Sequence, residues 1–223
     1  MIAVDLLSIS VLLPSRGRPT ALMETMAGLL ALAADPDDMQ IWIAADPDDD
    51  ATQALAGSLY AHRACMWTPP ERYGYKNLHR YVNKLAEMAC GEWLMFWNDD
   101  ATMLTSGWDD VIRREAPGIL WPQADYAPAI NTFPVIPRAW ARHLGHVSLD
   151  QSADMWWYEL GLRTETQRKI PVSIHHAHMC GDATANERDA VANVATFHAP
   201  AMVAARKADA AKLTELLAME ATR

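Results

Sequence analysis

The stretch that decides the fold is residues 78–100, LHRYVNKLAEMACGEWLMFWNDD. An apolar pattern at helical spacing ends at Gly91, and an apolar strand at residues 93–97 follows at once. The strand breaks into Asn98, Asp99 and Asp100. Carboxylates crowded at a strand end repel each other, and a fold tolerates them where a divalent cation or a cationic partner neutralises them. The alternative is an acidic turn after a buried strand.

Strands and helices alternate through the residues that precede this triplet. Continuous apolar runs predict strands at residues 8–13, 39–45, 64–67 and 93–97. Helical spacing predicts a helix to residue 33 after an N-cap at Thr20, and further helices at 52–61 and 78–89. The alternation predicts an α/β fold with a Rossmann-type, mostly parallel sheet flanked by helices.

Three polar loops follow predicted strands of this sheet. They begin at Pro14, at Asp46 and at Asn98. Ligands of parallel α/β sheets bind beyond the carboxyl ends of the strands. The sequence therefore predicts one binding site shared by the three loops.

The second half of the chain is less regular. Helices are predicted at residues 108–115, 137–144, 153–162 and 201–220, strands at 119–121, 132–136 and 172–176, and a loop at 181–200. No internal repeat or linker divides the chain, and 223 residues suit a single domain.

Composition narrows the class of protein. The net charge of −9 disfavours a protein that coats nucleic acid non-specifically, although a local basic patch stays compatible with it. Cys65, Cys90 and Cys180 are widely spaced, so neither a disulfide framework nor a zinc knuckle is indicated. No signal peptide and no apolar run near the roughly 20 residues of a membrane span are visible. We expect a cytoplasmic protein without stable membrane insertion.

The order of these features resembles the GT-A glycosyltransferases of family 2. That family carries Asn, seven residues, Gly-Glu or Gly-Asp, an apolar strand and then Asp-x-Asp. Asn83, Gly91-Glu92 and the triplet Asn98-Asp99-Asp100 fall at the same spacing, and Asn98 departs from the motif. The resemblance covers residues 8–110 well and the rest loosely. It implies a single GT-A-like domain over residues 1–223, with a nucleotide-sugar half (1–110), an acceptor-side half (111–200) and a C-terminal helix (201–223).

The loop after the first strand is the candidate donor loop. The resemblance assigns Pro14, Ser15, Arg16 and Arg18 to donor binding, and arginine offers a planar, permanently charged fork for a diphosphate. The alternative is a solvated turn with two surface arginines.

The resemblance also assigns residues to the nucleoside. Asp46 is expected to contact the base or ribose, with Asp48, Asp49 and Asp50 solvated, although the whole run could be a plain acidic turn. Asn83 is expected to lie under the nucleotide, although it could be a surface polar group.

The metal is expected between Asp100 and a late histidine. Asp100 aligns with the second acid of the family motif, and His178, preferred over His176, would complete the coordination of Mn²⁺ or Mg²⁺. The alternative for these histidines is an exposed strand end. Asp99 is placed on the donor side, with its side chain pointing away from that of Asp100.

The catalytic base is expected at the start of the helix at 153–162. Inverting members of the family place there a carboxylate that takes the proton of the attacking hydroxyl. Asp154 is the first choice, and Asp150 and Glu159 are rivals. The alternative is a carboxylate that interacts favourably with the helix dipole.

The resemblance implies transfer from a nucleotide-diphosphate sugar, with a UDP-sugar favoured. The acceptor would be a glycan or a hydroxylated nucleobase of phage DNA. A non-catalytic nucleotide-sugar-binding module is the main alternative. A nucleotidyltransferase is disfavoured because Gly17 alone does not make a glycine-rich loop.

Overall fold

A computed structural model describes residues 8–59, 63–125, 127–177 and 195–222. Its first half contains strands β1 (Ile9–Ser15), β2 (Met39–Ala45), β3 (Ala64–Trp67) and β4 (Trp93–Phe96), which alternate with helices α1 (Pro19–Leu32), α2 (Asp50–Gln53), α3 (Ala56–Leu59) and α4 (Leu78–Met88). The four strands are parallel, in the spatial order β3–β2–β1–β4. The predicted α/β alternation is confirmed, although the helix predicted at 52–61 is two short helices.

Helix α1 begins earlier than the sequence predicts. Arg18 is its N-cap and Pro19 its first residue, so the assignment of the N-cap to Thr20 was wrong. Proline suits that position because its fixed φ matches the helix and the N–H that it lacks would have no partner there. The loop after β1 therefore ends at Arg18.

Gly91 fixes the position of β4 beside β1. A Cβ atom at residue 91 would lie 2.6 Å from backbone atoms of Ile9 and Ser10. The Gly91 N–H donates to the Ser10 hydroxyl at 2.8 Å. Only glycine allows this close approach, which gives the glycine before the strand a physical reason.

The second half completes the sheet with β5 (Ala101–Met103), β6 (Ile119–Ala124), β7 (Val135–Pro137) and β8 (Gln167–His176), and adds helices α5 (Trp108–Arg113), α6 (Arg138–Leu144), α7 (Ala153–Thr164) and α8 (Pro200–Ala221). The eight strands follow the order β3–β2–β1–β4–β7–β6–β8–β5. The pairs β4–β7, β6–β7 and β5–β8 are antiparallel and the other pairs are parallel, so the sheet is mostly parallel as predicted.

The acidic triplet at residues 98–100 connects β4 directly to β5, and this short connection requires a curled sheet. Strand β5 lies four strands away from β4, which would be about 19 Å on a flat sheet. The chain passes from Phe96 to Ala101 through a turn in which the Ala101 N–H bonds the Asn98 carbonyl. Five residues reach at most about 17 Å when fully extended, so the sheet must curl to bring β5 back.

Strand β8 begins five residues before the predicted strand at 172–176, and β5 was not predicted. Pro171 lies in β8 opposite the register shift between Trp121 and Gln123 of β6. A proline is tolerated at such an irregularity because no ladder hydrogen bond needs its missing N–H.

Two apolar layers cover the faces of the sheet. One layer packs α1 and α5 on it, and the other packs α4, α6, α7 and α8. Trp93, Trp97 and Trp108 are buried in the core. No helix in the described ranges is both long and apolar enough to cross a membrane.

Candidate active site

A cleft of about 330 Å³ opens at the carboxyl ends of β1, β2 and β4. The sequence-predicted residues that line it are Pro14, Ser15, Arg16, Arg18, Asp46, Asp99, Asp100 and Asp154. The three loops predicted to converge therefore do so, and α7 adds Asp154 to the same cleft.

Arg16 joins the β1 loop to the β2 loop. Its guanidinium lies 3.0 Å from Asp46 and forms a bidentate pair with Asp48 at 2.6 and 3.0 Å. The hydrogen bond to Asp48 is the main cause of the raised pKa of Arg16, and it lowers the pKa of Asp48. Asp48 was expected to be solvated; it is half exposed but pairs with Arg16.

Asp49 has a structural role. It is buried, accepts the Gly17 N–H at 2.7 Å and caps α2 through the Thr52 N–H at 3.2 Å. The expectation that Asp49 is solvated was wrong, because two backbone donors draw its carboxylate inward.

Tyr81 anchors Asp46 and was missed by the sequence reasoning. Its hydroxyl donates to the Asp46 carboxylate and accepts the N–H groups of Tyr73 at 2.8 Å and Gly74 at 3.2 Å. Burial, followed by the hydrogen bond to Asp46, raises the pKa of Tyr81 to about 12. Tyr81 lies on the apolar face of α4, so the sequence pattern gave no sign that its hydroxyl bonds a residue of the cleft.

Asp99 and Asp100 bracket one guanidinium. Arg18 lies 2.8 Å from Asp99 and 3.5 Å from Asp100, and the Ser15 hydroxyl donates to Asp99 at 2.7 Å. Both carboxylate side chains are nearly inaccessible to solvent. The expectation that Asp99 points away from Asp100 was wrong, because the residues lie in a turn and do not alternate as in an extended strand.

Asp100 and His176 are the residues that fit a divalent cation. The Asp100 Oδ1 atom lies 3.1 Å from His176 Nε2, and the Asn98 amide nitrogen lies 3.4 Å from the same ring nitrogen. Adjacent ligands at the 2.0–2.1 Å distance of an octahedral Mg²⁺ stand about 3 Å apart, so the carboxylate and imidazole fit one ion. Over residues 8–59, 63–125, 127–177 and 195–222, no group of three or more metal-binding side chains is assembled. His178 lies outside the described residues.

Asp154 lies in the first turn of α7 and faces the cleft. Burial raises the pKa of Asp154 to about 6, and the nearby negative charge of Asp150 adds to the effect. Hydrogen bonds from backbone N–H groups of the first turn, and the nearby His176, act in the opposite direction. Its carboxylate is therefore a stronger base than an ordinary aspartate.

The two rival carboxylates, Asp150 and Glu159, are held in contacts that stabilise the fold. Asp150 accepts the Ser152 N–H at 2.8 Å and pairs with the buried Arg206 at 3.5 Å. Glu159 bonds Arg163 and Arg206 on the far side of α7. These contacts favour Asp154 as the carboxylate free for chemistry.

The structure does not bring Asn83 to the cleft. Its amide accepts the N–H groups of Val147 and Ser148 at 2.7 and 3.1 Å and donates to the Ser148 carbonyl at 2.8 Å. All these bonds hold the loop before α7, so Asn83 does not meet the expectation that it lies under a nucleotide.

Further residues line the cleft, and the sequence reasoning missed those that come from loops of the second half. The cleft is lined as well by Tyr75, Trp97, Ile130, Thr132, Gln151 and His176. Ile130, Thr132 and Gln151 belong to loops of the second half, where no motif marks them. His176 was considered with His178, and its strand position at the end of β8 was the available signal.

Comparison with known proteins supports the fold. No protein-family model and no curated protein matches the sequence. Among solved structures, the mannosyltransferase PcManGT from Pyrobaculum calidifontis, in complex with GDP-Man and Mn²⁺, matches with a TM-score of 0.65 at 13% identity over 93% of this chain and 69% of that chain.

Two further structures match at 11% identity. Residues 1–349 of TarS from S. aureus, in complex with UDP, match with a TM-score of 0.58 over 77% of this chain and 58% of that chain. GalNAc-T7 with UDP, GalNAc and Mn²⁺ matches with a TM-score of 0.62 over 78% of this chain and 44% of that chain. This protein therefore has the GT-A fold of these glycosyltransferases, and the predicted fold class is confirmed.

Proposed function

We propose that this protein is a glycosyltransferase that moves a sugar from a nucleotide-diphosphate donor to a hydroxyl group of an acceptor. One observation carries the proposal. Two arginines, a buried aspartate pair and a carboxylate with a raised pKa line a single cleft at the carboxyl ends of parallel strands. The solved structures of the same fold are described with GDP-Man, UDP and Mn²⁺, which adds support.

The donor would bind across the β1 and β2 loops. Arg16 and Arg18 would bind the diphosphate, Pro14 and Ser15 would shape the loop beside it, and Asp46 would contact the base or ribose. Asp46 is already held by Tyr81 and Arg16, so its position needs little ordering when the donor arrives. We favour a UDP-sugar as donor.

Asp100 and His176 would hold Mn²⁺ or Mg²⁺. A bound cation would stabilise the negative charge that develops on the leaving diphosphate. The side chain of His176 is mostly buried and packs edge-on against Phe133 at 5.1 Å between ring centroids. This packing keeps its Nε2 atom beside Asp100.

Asp154 would accept the proton of the acceptor hydroxyl. As the bond between the sugar carbon and the phosphate oxygen breaks, the acceptor oxygen forms the new bond to that carbon and its proton passes to Asp154. With a pKa of about 6, Asp154 is ionised at pH 7 and still basic enough to take the proton.

A donor panel tests this proposal. Thermal unfolding is measured with UDP-, GDP-, dTDP- and CMP-sugars, each with and without Mn²⁺. A donor at a hundredfold excess over its Kd should stabilise the fold by about 2.7 kcal/mol. The stabilising donor is then incubated with protein and Mn²⁺, and release of the nucleoside diphosphate is measured. No stabilisation by any of the four donors would contradict the proposal.

A non-catalytic nucleotide-sugar-binding module is the second candidate. Asn98 replaces the first acid of the family motif, which favours this reading. Such a module would be stabilised by a donor in the same panel but would release no nucleoside diphosphate. A glycan or a hydroxylated nucleobase as acceptor, and the cytoplasm as location, remain predictions.

A further inference from the structure

A second concave surface lies between helices α4 and α6. It is a groove of about 750 Å³ that shares no lining residue with the candidate active site. We call it the basic groove, after its charged residues Arg80, Lys84 and Glu87 on α4, Arg138 and Arg142 on α6, and the neighbouring His146.

The basic groove carries a net positive charge, whereas the protein as a whole carries a net negative charge. Four permanent cations and one carboxylate give it +3, whereas the whole chain carries −9, which leaves −12 for the remainder. Lys84 pairs with Glu87 at 2.9 Å, and Arg80 lies 3.9 Å from Glu71. Arg142 is exposed and forms no ion pair with any residue of the described ranges. Arg142 is therefore the clearest case of a groove cation that no described residue neutralises.

Two of these cations repel each other. Arg138 and Arg142 stand one turn apart on α6, where like charges are unfavourable. Burial is the main cause of the lowered pKa of Arg138, and the charge of Arg142 adds to it. An anion bound between the two guanidinium groups would relieve the repulsion.

The shape and the aromatic residues of the groove select among anionic partners. A flat anionic membrane would not reach the floor of a groove between two helices. Bound single-stranded nucleic acid stacks its bases on free aromatic faces. In the basic groove, the Arg80 guanidinium lies 3.5 Å from the centroid of the Tyr73 ring, and Trp67 packs against Tyr73 at 6.4 Å. The Arg80 guanidinium therefore already covers one face of the Tyr73 ring.

We propose that the basic groove binds an anionic glycan chain. Cations on both walls suit a linear chain with a negative charge at regular intervals, and arginine forks match carboxylates. The groove begins at the wall of the cleft, because Tyr73 lines the groove and its N–H donates to the hydroxyl of Tyr81, which lines the cleft. Because Tyr81 also bonds Asp46, which we assign to the nucleoside, this end of the groove lies on the donor side of the cleft. This last step rests on the proposed function, whereas the binding itself does not.

The experiment measures binding without donor or turnover. A galacturonate octamer is titrated into the protein by calorimetry at 50 mM and 500 mM NaCl, with the neutral maltooctaose as a control ligand. We expect the octamer to bind at low salt, to weaken at least tenfold at high salt, and maltooctaose not to bind. Lys84→Gln/Arg142→Gln, with one change on each wall, should weaken octamer binding at least tenfold.

A matched variant separates the groove from net charge. Arg114→Gln/Lys207→Gln removes the same charge from exposed positions outside the groove and should bind the octamer like the wild type. Circular dichroism checks that both variants fold, and Arg142→Glu gives a second test at a single exposed position.

Several results would overturn the proposal. One is that the wild type and Lys84→Gln/Arg142→Gln bind the octamer equally well. Another is that the matched variant binds it as weakly as Lys84→Gln/Arg142→Gln does. A third is that the wild type does not bind the octamer at 1 mM. Tighter binding to a dT16 oligonucleotide, or to vesicles with 30% phosphatidylserine, would assign the groove to another class of partner. Octamer binding by a protein that fails the donor panel would support the groove and contradict only the proposed function.

Discussion

The proposed donor side and the proposed acceptor side of the cleft hold their carboxylates in different ways. On the donor side, Asp99 and Asp100 share Arg18, and Asp46 is held by Arg16 and Tyr81. On the acceptor side, no ion pair with a described residue holds Asp154, and burial raises its pKa to about 6. Paired carboxylates make a rigid binding surface, whereas a carboxylate without a cationic partner keeps the capacity to take a proton.

The largest effect should come from the acceptor side. Asp154→Asn should cut turnover by about 10²–10⁴ while the donor Kd stays unchanged, because the amide cannot accept the hydroxyl proton. Steady-state kinetics and donor titration on the same preparation check this. Glu165→Gln, at an exposed position just after α7, is the matched control and should leave both quantities unchanged. A parallel loss of turnover and donor affinity would make Asp154 a donor-binding or structural residue.

The next effect is on metal-dependent binding. Asp100→Asn should weaken donor binding in Mn²⁺ about ten- to a hundredfold, because one charge-assisted contact of about 1.5–3 kcal/mol is lost. Donor affinity in EDTA should change much less. Binding of Mn²⁺ alone, followed by electron paramagnetic resonance, gives a readout that needs no activity. An Mn²⁺-dependent affinity equal to that of the wild type would remove Asp100 from the metal site.

A smaller effect is expected on the free energy of unfolding. It can be compared for two aspartates that each pair with an arginine of the donor loop. Asp99→Asn should lower the free energy of unfolding by about 2 kcal/mol, because it leaves the mostly buried Arg18 with a weaker partner. Asp48→Asn should cost less than about 1 kcal/mol, because the pair with Arg16 is exposed to solvent. Urea denaturation of both variants measures the difference. Equal losses would show that the burial of the Arg18 pair does not matter for stability.

The smallest effect is on the pH dependence of stability. Burial raises the folded-state pKa of Asp154 above its unfolded value, so the folded protein binds this proton more tightly. The contribution to stability is complete below about pH 4 and is lost as pH rises through about 6. Asp154→Asn removes this loss and should raise Tm by about 2–4 °C at pH 7.5, for a gain on the order of 1 kcal/mol.

The same substitution should have little effect on Tm at pH 4, where the wild-type carboxyl is already protonated on folding. Thermal scans of both proteins at the two pH values test the sign. A variant that is less stable than the wild type at pH 7.5 would show that the ionised carboxylate stabilises the fold and that its pKa is not raised.

Sequence alone determined the parallel half of the sheet and the place of the cleft. Apolar runs at residues 39–45 and 64–67 coincide with β2 and β3, because a buried strand needs continuous apolar residues whatever its neighbours are. The carboxyl-end rule then placed Pro14, Asp46 and Asp100 together without any knowledge of side-chain contacts.

Only the tertiary structure decided which polar residues meet. Asn83 matched the family spacing yet bonds the loop at Val147 and Ser148, more than 60 positions along the chain. Asp99 turned toward Arg18 because a curled sheet makes the triplet a tight turn. Local sequence sets which segments are strands and helices through propensity and apolar spacing. Contacts between distant segments depend on how the sheet curls and the helices pack, and no local pattern encodes them.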